Sequence, residues 1–134
     1  MSEGNVDMVR QVIESWNRGD VDGALEMAAD DLVVDMSNAI GPDKGFYRGK
    51  ERVRDLWTSL NDAADTIRWD PEEIIEVDAE RLIVVINVRM RGRGSGVEVE
   101  GVSAVLWAIR DGEGRSMKLY QSKAEALEAA GLSG

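Results

Sequence analysis

From Asn5 to Asn17, apolar residues fall at Val6, Val9, Val12, Ile13 and Trp16, and this spacing of three and four predicts an amphipathic helix. Asn5 or Ser2 is placed to cap it, and Gly19 follows its end. Asp20 then has the position of a second N-cap, ahead of a short helix carrying Ala24, Leu25, Met27 and Ala28. Residues 32–37 (L-V-V-D-M-S) read as a strand. Residues 38–47 hold Gly41, Pro42 and Gly45 and read as a loop. A third helix is predicted over 49–64, with Val53, Leu56, Trp57 and Leu60 on one side. Strands follow at 66–77, 81–93, 97–110 and 115–122, separated by turns at 78–80 and 111–114. Residues 123–130 form a small Ala/Glu helix that Gly131 stops. Helices, a strand, a helix and then an antiparallel meander define an α+β chain, not a wound parallel sheet.

The long central hairpin carries more information than the rest. A two-residue turn at Gly94-Ser95 sets Arg91 opposite Glu98 and Arg89 opposite Glu100, two opposite-charge cross-strand pairs each stabilising by about 0.2–1 kcal/mol. That register sorts two faces. One carries Ile83, Val85, Asn87, Arg89 and Arg91 with Leu106, Ala104, Val102, Glu100 and Glu98. The other carries Leu82, Val84, Ile86, Val88 and Met90 with Trp107, Val105, Ser103, Gly101 and Val99. Both are apolar near their middles, whereas a solvated sheet face alternates to polar, so both are expected to be covered. The chain's own helices cover one. A second subunit is expected on the all-apolar face, giving a homodimer through Val84, Ile86, Val105 and Trp107.

Composition narrows the chemistry. With 134 residues, 43% hydrophobic and 31% charged, the chain suits a single domain over 1–134 with a core that needs no staple. It has no Cys and no His, which excludes disulfides, thiolate nucleophiles, Cys- or His-based metal sites and Ser–His or Cys–His machinery. Acid–base chemistry falls to Asp, Glu, Tyr, Lys, Arg or water. A net charge of −10 and a pI near 4.5 argue against a nucleic-acid partner. The longest apolar run, 82–86, is far short of the ~20 residues of a membrane span. The N-terminus carries Glu3 and Asp7 and no apolar stretch, so no signal peptide is read and a cytoplasmic location is expected.

The run N-R-G-D-V-D-G-A-L-E-M-A-A-D-D-L-V-V-D-M (17–36) resembles the opening of the nuclear transport factor 2-like superfamily. Gly49-Lys50-Glu51-Arg52-Val53 resembles its next helix start, and R-D-G-E-G-R (110–115), Tyr120 and the Ala/Glu helix fit its end. The narrower likeness is to the SnoaL-like, polyketide-cyclase-like and ketosteroid-isomerase-like branch. The resemblance implies a cone: a curved antiparallel sheet wrapped around N-terminal helices, an apolar pocket at the open end, and homodimers through the outer sheet face. It does not carry the catalytic groups over. The isomerases' carboxylate base falls at Met36, their oxyanion tyrosine at Val12 and their protonated acid at Leu106. An epoxide-hydrolase Asp–Arg–Asp set matches Arg89 alone, with Arg91 and Leu119 where the acids would stand.

On that alignment the face of Arg89 and Glu100 lies inside the cone. These two residues are the candidate catalytic pair, able to polarise a carbonyl or exchange a proton; the plain alternative is a cross-strand pair that only fixes register. Trp16, Met36, Tyr47, Trp57, Asn87 and Leu106 are the expected lining of the ligand pocket, with Phe46 nearby. Core packing of Trp16 and Trp57 is the competing reading. Strand parity turns Asp35 outward. Glu72, Glu73, Glu76, Asp78 and Glu80 read as a solvated surface, lacking calcium-loop spacing, and the glycines of 92–96 read as a hairpin, not a phosphate loop. The expected function is a cofactor-independent enzyme of isomerase, cyclase or hydrolase type acting on a compact apolar organic compound. The alternatives are a non-catalytic dimeric module binding a hydrophobic ligand, and a dimerisation scaffold with a filled cone.

Overall fold

The computed structural model describes residues 2–39 and 44–132. Helix α1 (Ser2–Asn17) buries Met8, Val9, Val12, Ile13 and Trp16; of the predicted apolar stripe Val6 is only half-buried, and Met8 joins it. Asn5 lies inside its first turn and does not cap it; its amide donates to Ala79 O at 2.9 Å. Helix α2 (Val21–Leu25) starts as predicted, with the Asp20 side chain accepting from Gly23 N at 2.9 Å. It is shorter than expected, because Ala28 already belongs to strand β1 (Ala28–Asp35). Strand β2 (Phe46–Arg48) falls within the expected loop and its flank; Ile40, Gly41, Pro42 and Asp43 of that loop lie outside the described residues. Helix α3 (Lys50–Ala63) buries Val53, Leu56 and Trp57. Strands β3 (Ala64–Glu76), β4 (Arg81–Gly92), β5 (Glu98–Arg110) and β6 (Glu113–Tyr120) make the meander, and helix α4 (Lys123–Ala129) ends the chain.

The strands form one curved, unclosed sheet in the order β2-β1-β6-β5-β4-β3. β1 runs parallel to β6 and every other neighbour is antiparallel, so the first strand docks on the last one of the meander. β3 is an edge strand, which is why Pro71 is tolerated within it; the register shifts between Pro71 and Glu73 and again between Ala64 and Thr66. The β5–β6 turn uses positive φ at both Asp111 and Gly112, the geometry that matches strand twist in a tight hairpin.

The β4–β5 register is the expected one: Arg89 pairs with Glu100 and Arg91 with Glu98. The turn is longer than two residues. Gly92 N donates to Val97 O at 2.8 Å and Gly96 N to Gly92 O at 3.1 Å, so residues 93–96 close the hairpin without changing the pairing.

The faces are reversed relative to the expectation. Leu82, Val84, Ile86 and Trp107 are buried in the main core with α1, α2 and α3, and Val88 and Val105 pack against it. The helices of this chain therefore cover Val84, Ile86, Val105 and Trp107, and a partner subunit cannot reach them as the expected dimer requires. Ile83, Ala104 and Leu106 lie on the opposite, outer face. There α4 covers them through Ala126, Leu127 and Ala130. The helix is held there from both ends. Ser122 Oγ accepts from Glu125 N, while Gly131 (φ 82°) supports the C-terminal bonds Gly131 N to Glu128 O and Leu132 N to Leu127 O. Both faces of the hairpin are thus apolar at their middles because one chain supplies a helical cover to each.

Candidate functional site

Three tryptophans from three elements meet between the helices and the concave face. Trp16 of α1 stacks on Trp69 of β3 with ring centroids 4.3 Å apart and planes 15° from parallel. Trp57 of α3 meets both edge-on, at 5.7 Å from Trp16 and 5.8 Å from Trp69. Trp16 and Trp57 are buried, and Trp69 is half-buried, so the cluster reaches solvent through the edge strand. Asn17 sets the stack. Its side-chain amide donates to Trp69 O and its side-chain oxygen accepts from Trp69 N, each at 2.9 Å. One asparagine at the end of α1 thereby pairs with the outward backbone groups of an edge strand, and seats Trp69 beside the preceding residue.

The interior around this cluster is apolar. Among the described residues, Ser15 is the one buried polar side chain. The interior is also closely packed. A void of about 10 Å³, roughly the room for one water, is walled by Met8, Met27, Met117, Trp57, Trp107 and their apolar neighbours. One polar atom in this region has no partner: the indole Nε1 of Trp16 is fully buried and makes no hydrogen bond.

Of the expected lining, Trp16, Trp57, Met36 and Tyr47 lie on the interior side, where the last two pack against the core and Tyr47 pairs with Val34. Arg52 lies over the Tyr47 ring at 5.8 Å. Phe46 is exposed. Asn87, Arg89, Glu100 and Leu106 are on the outer face. Leu106 packs under α4, and the other three form part of a surface network. Arg89 Nη2 bonds Asp70 Oδ2 and Arg68 Nε bonds Asp70 Oδ1, each at 2.8 Å; Asn87 Nδ2 donates to Glu100 Oε2 at 2.8 Å. The hydrogen bond from Arg89, with that from Arg68, outweighs partial burial and holds the Asp70 carboxyl below the ordinary range. Asp70 bridges two guanidiniums that face each other across β3 and β4, and so removes a like-charge repulsion. The interior position expected for Arg89 and Glu100 does not hold: the parity that puts Trp107 among the helices turns both side chains to the other side of the sheet.

Asp35 faces outward, as parity requires. Burial raises its pKa, but the bonds from Ser37 and the charge of Lys118, 3.6 Å away, prevail and lower it. At the β2–α3 junction an open groove of about 510 Å³ is walled by Arg48, Lys50, Arg52 and Arg54 with Asp30 and Glu51; Arg54 is already paired with Asp22 at 2.8 Å. No helix among the described residues is long and apolar enough to cross a membrane.

The residues missed from the sequence are Trp69 and Asn17. Alternation along β3 puts Ile67 and Trp69 on one face, but only the α1–β3 contact reveals which face and which neighbour.

A curved α+β sheet closing over helices, with an apolar aromatic interior, defines a fold class, and sequence comparison names it. Residues 9–116 match the family model described as the SnoaL-like domain, and the chain belongs to that family. Solved structures agree on the fold. TerC, co-crystallised with polyporic acid, superposes with a TM-score of 0.77 at 17% identity, covering 96% of this chain and 98% of that one. RV0760c from Mycobacterium tuberculosis, in complex with estradiol-17β-hemisuccinate, gives 0.77 at 18% identity over 90% and 95% of the two chains. An NTF2-like protein of unknown function from Burkholderia pseudomallei K96243 gives 0.75 at 23% identity over 93% and 95%. No curated protein matches the chain by sequence.

Proposed function

We propose that the protein binds a compact, uncharged, largely apolar organic molecule between its helical layer and the concave face of the sheet. The observation that carries this reading is the character of the interior: three tryptophans and a methionine-rich wall, with no buried charge among the described residues. Thioether side chains re-pack at low cost, so Met8, Met27 and Met117 are suited to widen a small void around a guest. The organic ligands held by TerC and RV0760c on the same fold support binding of a small organic molecule and nothing narrower.

Between an enzyme of isomerase, cyclase or hydrolase type and a non-catalytic binder, the geometry favours the binder. Among the described residues, no carboxylate, lysine or arginine is buried in the interior to act as a general acid or base. Thermal unfolding with a panel of ring compounds tests this. A ligand present at about 100 times its Kd stabilises by ~2.7 kcal/mol, a readily measured rise in Tm. A rise without product by NMR is the expected result. A rise with turnover converts the reading to the enzyme class, and no rise at millimolar ligand leaves only the filled-cone scaffold.

Self-association, on this geometry, uses the part of the outer face that α4 leaves open. Val102 is 50% exposed there, opposite Asn87 and beside the Asn87–Glu100 pair, with the Arg89–Asp70 pair on the far side of Asn87. Charges of both signs on one patch suit a two-fold contact, in which each side meets its complement. Sedimentation velocity of the wild-type chain and of Val102→Asp measures it: a dimer that the substitution dissociates is expected, and a wild-type monomer at micromolar concentration contradicts it.

A further inference from the structure

Among the described residues the sheet has free margins at β3, at β2 and along part of β5, and they are not protected alike. β3 carries Pro71 and two register shifts, and the Asn17 side chain occupies both Trp69 N and Trp69 O. β2 is three residues long. The margin of β5 has no such defence. β6 pairs with β5 from Ala104 to Arg110 and stops at Tyr120, where the chain turns into α4. Glu98–Ser103 therefore pair with β4 alone. That stretch has no proline, and its ladder runs without a bulge. The direction of its backbone groups follows from the same ladder. Gly92 N donates to Val97 O and Ile109 N to Glu80 O, so odd-numbered residues of β5 turn N–H and C=O toward β4. The N–H and C=O of Glu98, Glu100 and Val102 point the opposite way, in the plane of the sheet, as those of Ala104 do where it meets Tyr120. Such a run of unpaired groups is a template for another strand.

The side chains select the strand. On the inner side Val97 and Val99 are 60% and 62% exposed, and nothing lies within 4 Å of where a Cβ of Gly101 would stand. On the outer side are Glu98, Glu100 and Val102. Among the described residues neither carboxylate has a cation within ion-pair distance. Arg89, opposite Glu100, is bound to Asp70, while Glu100 accepts from the neutral amide of Asn87; Arg91, opposite Glu98, makes no ion pair with it.

We propose that residues 98–102 of β5 accept an antiparallel strand from a partner protein, an extended segment in which Lys or Arg alternates with β-branched apolar residues. The added strand prolongs the line of β6. Its main chain bonds Glu98, Glu100 and Val102, its cations face the two carboxylates, and its apolar side chains lie beside Val97 and Val99. A net charge of −10 favours approach of a basic segment. A second copy of this chain is the wrong occupant. Antiparallel pairing about a two-fold axis keeps each side chain on its own face, so residues of like parity must oppose. Centred on Glu100, the pairing opposes two Glu100 carboxylates; centred on Val99, it opposes Glu98 and Glu100; centred on Gly101, it leaves the two Glu100 residues as diagonal neighbours. Glu98 and Glu100 thus act as edge charges that reject acidic strands and self-pairing while admitting a basic strand. The proposal does not depend on the interior ligand.

The test uses the full chain labelled with ¹⁵N and the peptide acetyl-T-V-K-V-K-V-amide, whose lysines align with Glu100 and Glu98. Amide hydrogen exchange is the readout. In the free protein the N–H groups of Glu98, Glu100 and Val102 should exchange fast and those of Val99 and Gly101, bonded to β4, slowly. The peptide should slow the first three. Methylating the backbone nitrogens of both lysines, which face β5, should weaken binding by roughly tenfold or more, the loss expected of two main-chain bonds. Methylating those of the first two valines, which face away, should not. The double variant Glu98→Lys, Glu100→Lys should lose this peptide and take acetyl-T-V-E-V-E-V-amide instead. Binding without slowed exchange at Glu98, Glu100 and Val102, equal affinity for the lysine-methylated peptide, or no binding at millimolar peptide overturns the proposal. Exchange that slows at these amides with rising protein concentration alone makes a second copy the occupant, and also overturns it. The methylated peptides decide the matter on the wild-type chain even if the double variant does not fold.

Discussion

The two faces of the β4–β5 hairpin have the same register, the same length and nearly the same apolar content at their middles, yet they do different work. The inner face runs Leu82, Val84, Ile86, Val88 and Met90 against Val99, Gly101, Ser103, Val105 and Trp107, without a single charge; Leu82, Val84, Ile86, Val88, Val105 and Trp107 floor the tryptophan-lined interior, while Val99 near the hairpin turn is exposed. The outer face begins with Ile83 and Ala104 under α4 and ends in Asn87, Arg89, Arg91, Glu98 and Glu100. Apolarity at the middle does not separate them; the ends do. A face that carries charges along half its length is solvated there whatever covers the rest, and the charge-free face is the one whose middle lies against α1, α2 and α3.

The largest predicted effect breaks this asymmetry at its centre. Val84 is 1% exposed on the inner face, so Val84→Asp buries an unpaired carboxylate and should abolish cooperative folding, seen as loss of the urea transition. Val102→Asp on the outer face should keep the fold and, compared where both chains are monomeric, shift stability by no more than ~0.5 kcal/mol. Equal damage from the two would erase the distinction.

Ile83→Ala sharpens the comparison within the outer face. Ile83 is fully buried beneath α4, and the truncation should cost about 2–5 kcal/mol by urea denaturation. Arg89→Ala, on the same face beyond the helix, should lower the midpoint only slightly. A smaller loss is expected from Asn17→Ala, about 1–3 kcal/mol, because the backbone groups of Trp69 lose two partners but lie near solvent. Its diagnostic sign is a changed tryptophan emission as the Trp16–Trp69 stack loosens.

The smallest effect is the pH dependence of the Asp70 network. Because Asp70 titrates below its unfolded value of about 3.9, its contribution is complete above that value and is lost as the pH falls through the lowered folded one. The difference in urea midpoint between wild type and Asp70→Asn should therefore be constant above about pH 5 and shrink in more acidic solution. A difference that grows on acidification contradicts the assignment.

Much of the architecture was legible in the residues. Helix spacing located Val9, Val12, Ile13 and Trp16; Asp20 and Gly131 marked caps; and the charge match of Arg89 with Glu100 fixed the hairpin register despite a longer turn. Strand β2 was hidden because three residues between glycines carry no alternation to read. The candidate site was less legible. Strand parity groups side chains into two sets but does not say which set meets the helices, and the family alignment assigned them the wrong way round. The discriminating signal was present in the charge-free run of even-numbered positions on β4. Trp69 and Asn17 carried no such signal, since their pairing depends on how the end of α1 lands on an edge strand, a long-range contact that no local pattern encodes.

The central claim is that Trp69, with the inner face of β4, belongs to an interior aromatic cluster. Nuclear Overhauser spectroscopy of the full chain tests it directly. The structure predicts cross-peaks from the Trp69 ring to the Trp16 ring and to the methyls of Val88, its cross-strand partner. Cross-peaks from that ring to Val85 methyls on the outer face, with none to Trp16, would contradict it.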